Sequence, residues 1–154
     1  MLPSIGYKEQ NNMQVFIIGT PLETAVAMRA DKLRYNKQIV EAQQILDAIN
    51  GKSGWSNHPC TLQYRGYERW LENYRLCLEF YKKGQLAEAN FVNFLCLQET
   101  PPFHTQEYFD NMKSRLYTKN PTHYAQWASY GTIETNLYFV DGEWRKYING
   151  KRIE

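Results

Sequence analysis

At 154 residues the chain suits one compact domain, which at this size hides roughly 70% of the surface its unfolded form exposes. Its 43% hydrophobic and 22% charged residues are those of an ordinary soluble protein, with an unusual supply of rings in 12 Tyr, 7 Phe and 4 Trp. A net charge of +2 is a weak whole-molecule attractant for nucleic acid, so any such partner must be held by a local basic patch.

Residues 1–12 are polar and aperiodic and read as a loose arm. MQVFII at 13–18 is a short apolar run, either a strand or a buried extended segment. Thr20, Pro21 and Glu23 then mark a helix start, as N-cap, first-turn proline and an acid favoured by the helix dipole. From Asp31 to Asn50, the residues Tyr35, Ile39, Ala42, Ile45, Leu46 and Ile49 recur at helical spacing, and Gly51 supplies the stop. The next helix is expected to take Asn57 as its cap, admit Pro59 in its first turn and run unbroken to about Lys83. Leu62, Trp70, Leu71, Tyr74, Cys77, Leu78 and Tyr81 form its apolar face, and Gly84 ends it. A helix over 85–97 stops before Pro101-Pro102, another covers 105–117, and Asn120-Pro121 opens a short one through Trp127. After Gly131, β-formers flank Asp141-Gly142 and then Asn149-Gly150, dipeptides that favour type I′ turns. The expected fold is mainly α, a compact single-domain helical bundle with a C-terminal β-hairpin or small meander.

Three constellations can carry chemistry, each beside a plainer use of the same residues. Arg34, Lys37 and Glu41 share one helix face and can hold phosphate, assist proton transfer or stabilise developing positive charge. Their plainer use is a solvated Lys37–Glu41 pair worth roughly a few tenths of a kcal/mol. Asn57 and His58 lie near Tyr64, Arg65, Tyr67 and Arg69, and His58 beside a helix start can donate to an anion or act in acid–base chemistry. The plainer reading makes Asn57 a cap and His58 a structural histidine. Lys113, Arg115, Tyr117, Lys119, His123, Tyr124 and Trp127 interleave cations and rings, which suits phosphate neutralisation and base stacking. Alternatively the rings cover the core while the cations face water.

Cys60, Cys77 and Cys96 are far apart and form no C-x-x-C pair, so neither a zinc site nor a disulfide framework is expected. A reduced, cytoplasmic setting follows. The sequence contains no Gly-rich phosphate loop, G-x-S-x-G, H-E-x-x-H or calcium loop. No apolar stretch approaches the roughly 18 residues of a membrane span, and MLPSIGYKEQNN lacks the features of a signal peptide.

Taken in order, MQVF, RYNKQIVEAQQIL, NGKSGWSNHP and YRGYERWLENY resemble the pyrimidine-dimer DNA glycosylase family of the phage endonuclease V type. The likeness is greatest to its less characterised phage and bacterial relatives, which carry similar K-Q-x-V-E and N-H-P motifs. SRLYTKNPTHYAQWASYG resembles the family's C-terminal region, so the similarity covers residues 13–131. The resemblance implies a compact all-α protein that binds duplex DNA and flips out a nucleotide. It also implies that the amine of a processed N-terminus attacks the sugar C1′, forming a Schiff base that cleaves the glycosidic bond and then nicks the abasic site. A glutamate on an early helix assists, and arginines clamp the phosphates. On this sequence Arg34 aligns with a phosphate-contacting arginine, while the family's glutamate falls near Tyr35. Glu41 matches the glutamate of the less characterised relatives. The motif starts at Met13, and removal of that methionine before the bulky Gln14 is not expected. The tail after Gly131 lies outside the family pattern.

The expected organisation is an arm over 1–12, a helical glycosylase-like domain over 13–131 and a β-hairpin appendage over 132–154. The expected function is removal of a damaged or modified pyrimidine from DNA, with abasic-site lyase activity. Glu41, Lys37 and His58 would act on the sugar. Arg34, Asn57, Arg65, Arg69, Lys113, Arg115, Lys119, Tyr124 and Trp127 would hold the nucleic acid. Used without catalysis, the same pocket makes a nucleotide- or nucleic-acid-binding protein, as in phage–host conflict. DNA or a nucleotide is the expected partner, with no membrane, cofactor or metal.

Overall fold

The computed structural model describes residues 14–52, 54 and 56–153, and among them six α-helices precede a 3-10 helix and a small sheet. The chain enters along residues 14–18, which thread through the core without joining a ladder; Gln14, Val15, Phe16 and Ile17 are all buried. Helix α1 (Pro21–Met28) opens on a reciprocal capping box. The Thr20 hydroxyl accepts the Glu23 N–H at 3.1 Å, and the Glu23 carboxylate accepts the Thr20 N–H at 2.9 Å. Helix α2 (Lys32–Ile49) is capped by Asp31, and Gly51 follows it in the left-handed region.

The single helix expected over 59–83 is two. Helix α3 (Pro59–Tyr64) ends where Arg65 turns extended and Gly66 takes φ +96°, and α4 (Glu68–Lys82) starts in a new direction. Only glycine reaches that φ without strain, so Arg65-Gly66 re-aims the chain despite the continuous apolar pattern. The cap of α3 also differs from expectation. His58, not Asn57, caps it, its Nδ1 accepting the Cys60 N–H at 3.1 Å, and Asn57 is exposed. Leu62 is 37% exposed instead of lining the core, because the short helix turns Thr61 and Gln63 inward.

Helix α5 (Leu86–Gln98) and helix α6 (Gln106–Lys119, capped by Thr105) complete the bundle. The helix expected after Asn120-Pro121 is a turn followed by a 3-10 helix, Ala125–Tyr130, which runs past Trp127. Strands β1 (Asn136–Val140), β2 (Glu143–Ile148) and β3 (Lys151–Arg152) form an antiparallel meander. Both of its two-residue turns carry positive φ at Asp141-Gly142 and Asn149-Gly150, as type I′ geometry requires.

The sheet does not hang off the bundle. Tyr138, Val140 and Tyr147 belong to the same buried cluster as Phe16, Ile45, Tyr74 and Met112. The outer edge of β1 is closed by side-chain amides from the helices. Gln63 Oε1 takes the Phe139 N–H at 2.7 Å, and Asn111 Oδ1 takes the Leu137 N–H at 3.3 Å. An edge satisfied in this way offers no template to another strand.

Candidate active site

The site grows from one buried glutamine. Gln38 lies on the inner face of α2, and its Oε1 accepts the Phe16 N–H at 2.6 Å and the Tyr74 hydroxyl at 3.1 Å. Its Nε2 donates to the Gln14 carbonyl at 2.9 Å and to Glu41 Oε2 at 3.3 Å. The amide therefore uses both ends to fix the entering chain against α2 and to steady the carboxylate one turn on. A hydropathy reading passes over Gln38, since a polar residue scores as surface; its burial is the signal missed.

Glu41 holds the centre. Its surroundings are mostly protein, and this burial pushes the carboxyl up to about 7. Arg34, Lys37, the backbone N–H of Gln14 hydrogen-bonded to the carboxylate, and Lys119 all pull the other way. Arg34 and Lys119 flank the Phe16 ring, their charges 5.2 and 5.8 Å from its centroid. Burial and the neighbouring Arg34, Arg115 and Lys37 bring Lys119 down to about 8, against the attraction of Glu41. A carboxyl raised and an amine lowered towards neutrality, each within the other's electrostatic reach, can exchange a proton with a reacting group at little cost.

Lys119, at the end of α6, thus joins Arg34, Lys37 and Glu41 of α2, four of the residues singled out in sequence. His58 stands one step further back. Its Nδ1 lone pair is taken by the cap bond, which leaves the ring proton on Nε2, and its ring meets Tyr138 edge-on at 6.2 Å. Cys60, the residue it caps, donates through Sγ to Gln14 Oε1 at 3.7 Å, and burial pushes its thiol up. Tyr138 of β1 lies within electrostatic reach of Glu41 and Arg115, so the tail lines the back of the site.

Other residues expected to touch nucleic acid are committed elsewhere. Arg115 is buried, its guanidinium donating to Asn136 Oδ1 at 2.9 Å and to the Ile133 carbonyl at 3.0 Å. It ties α6 to the tail. Tyr124 is fully buried, donates to Asp31 Oδ2 at 2.8 Å and stacks on Trp127 at 5.5 Å. Arg65 turns back to the Ser56 carbonyl at 3.0 Å, and Arg69 pairs with Glu99 at 3.3 Å on the α4–α5 side. Lys113 sits over the rings of Trp127 and Tyr130, at 5.9 and 5.3 Å, a partly exposed cation–ring cluster on another face of α6. The N-terminal amine and residues 1–12 lie outside the described residues. Among the described residues no His, Cys, Asp and Glu group can hold a metal ion, and no helix is long and apolar enough to cross a membrane.

Residues 13–84 match the family model described as pyrimidine dimer DNA glycosylase. No curated protein and no solved structure matches the chain. The matched stretch contains Gln14, Arg34, Lys37, Gln38, Glu41 and His58, whereas Lys119 and the sheet lie beyond it.

Proposed function

We propose that the chain, whose residues 13–84 match the family model described as pyrimidine dimer DNA glycosylase, removes a damaged or modified pyrimidine from DNA at the Glu41 cluster. The observation that carries this reading is the hydrogen bond from the Gln14 backbone N–H to the Glu41 carboxylate, amid Arg34, Lys37 and Lys119. The family match begins at Met13, so the nitrogen on that carboxylate belongs to the second matched residue. A carboxylate and three cations gather there, which supports a reaction that needs a charge-stabilising acid and groups to hold phosphate.

In the proposed reaction the target nucleotide leaves the stack and its phosphates rest on Arg34 and Lys119. An amine attacks C1′ while the C1′–N1 bond breaks, its electron pair leaving with the base, which takes up a proton. Ionised Glu41 stabilises the positive charge on the sugar and accepts the proton lost by the amine. Ring opening gives the Schiff base, and loss of a C2′ proton then expels the 3′ phosphate, nicking the strand. The attacking amine is the chain's terminus or Lys37.

Borohydride trapping on dimer-containing and abasic duplexes, followed by peptide mapping of the adduct, tests this reading. The adduct is expected on the terminal residue or on Lys37. A chain produced with Gln14 as its first residue carries its amine at Glu41 and is expected to trap faster than the full chain. Saturable DNA binding with no base release and no adduct would reduce the protein to a binding module.

A further inference from the structure

On the other side of α2 lies a cation-lined cavity. Lys32 and Asn36 point roughly 150° away from the Arg34, Lys37 and Glu41 face on an ideal helix. They open into a cavity of about 590 Å³ between the end of α1, the start of α2 and the end of α4. Three cations line it, Arg29, Lys32 and Lys82, together with Tyr35, Tyr81 and Leu86, and no carboxylate does. Arg29 donates to the Tyr81 hydroxyl at 3.2 Å and Lys82 to Asn36 Oδ1 at 2.9 Å. Both are thus aimed by neutral partners, and among the described residues no carboxylate pairs with any of the three. The closing carbonyls of α4 do not compete for the cations, since Glu79, Phe80 and Tyr81 already accept the N–H groups of Lys83, Gln85 and Gly84.

Three exposed cations with no carboxylate partner around one half-open cavity can share a phosphate, because its oxygens accept charge-assisted hydrogen bonds from several donors at once. The remaining wall is aromatic and apolar. Tyr81 is half-buried and Leu86 is 54% exposed, so a flat ring can lie across them. The volume falls within the roughly 300–1,000 Å³ of small-molecule sites. We propose that this cavity binds a nucleoside phosphate, with its phosphate on Arg29, Lys32 and Lys82 and its base against Tyr81 and Leu86. The site is separate from the Glu41 cluster and stands whether or not that cluster is catalytic.

Calorimetric titration of the full chain with a 5′-nucleoside monophosphate, at low salt, tests it. Saturable binding tighter than that of inorganic phosphate is expected. The double variant Lys32→Ala/Lys82→Ala changes only exposed side chains and is expected to weaken binding at least about tenfold. Glu41→Gln is expected to leave binding unchanged. The proposal is overturned if no saturation occurs by about 1 mM, if inorganic phosphate binds as tightly, or if the double variant binds normally. Loss of binding in Glu41→Gln would assign the ligand to the other face. Duplex DNA competing as strongly as the nucleotide would assign the cations to the DNA backbone instead.

Discussion

Gln38 and Glu41 are hydrogen-bonded one turn apart on α2, 3.3 Å from Nε2 to Oε2, and both hold the same entering backbone at Gln14. The residue that orders the chain entry therefore also orders the carboxylate. Replacing it by leucine strands the Phe16 N–H, the Gln14 carbonyl and the Tyr74 hydroxyl inside the protein. At roughly 1–3 kcal/mol for each unsatisfied buried group, Gln38→Leu is expected to cost about 3 kcal/mol or more in urea denaturation. A variant of wild-type stability would contradict this role.

Glu41 makes stability fall as pH rises. Its carboxyl titrates at about 7 in the folded chain against 4.5 when unperturbed, so folding favours the protonated form. The contribution is full below about 4.5, declines as pH climbs through 7, and is level above that. Its span is on the order of 3 kcal/mol. The stability difference between the wild type and Glu41→Gln, followed from pH 4 to pH 8, isolates it. A flat difference would show that Glu41 titrates normally.

Lys119 and Glu41 lower one another's cost of ionisation. Lys119→Met removes a cation that pulls the carboxyl down, so Glu41 is expected to titrate above 7 in carbon-detected NMR. The same variant is expected to weaken DNA binding alike for all sequences and to reduce the salt slope by about 1. Weakening confined to one sequence would mean that Lys119 reads a base.

Tyr124 tests the division between core and interface. Its ring has no exposed surface and its hydroxyl serves Asp31, the cap of α2. Tyr124→Phe is expected to cost about 1 kcal/mol of stability, with DNA affinity unchanged in a filter-binding assay. A large loss of affinity would instead bring this ring out to a base.

Much of the helical framework is legible in the sequence because its caps are local. Thr20-Pro21, Asp31 and Thr105 each start a helix by satisfying a neighbouring N–H, which short-range patterns encode. The break at Gly66 is not legible, since the apolar residues on either side keep helical spacing across it. The Arg34–Lys37–Glu41 face could be read from spacing alone. Three things about it could not. Lys119 arrives from a helix some 80 residues away, Gln38 is polar yet buried, and Arg115 is spent on the tail. Each depends on a tertiary contact that one-dimensional periodicity does not carry.

The central claim is that Glu41 is the chemical centre, and borohydride trapping on abasic duplex DNA at neutral pH tests it most directly. The wild type is expected to form a covalent adduct, and Glu41→Gln, which keeps an oxygen to accept the Gln38 Nε2 hydrogen bond, to form it about 100-fold more slowly. Equal trapping rates for the two proteins, or no adduct from the wild type at any pH between about 5 and 8, would contradict the account.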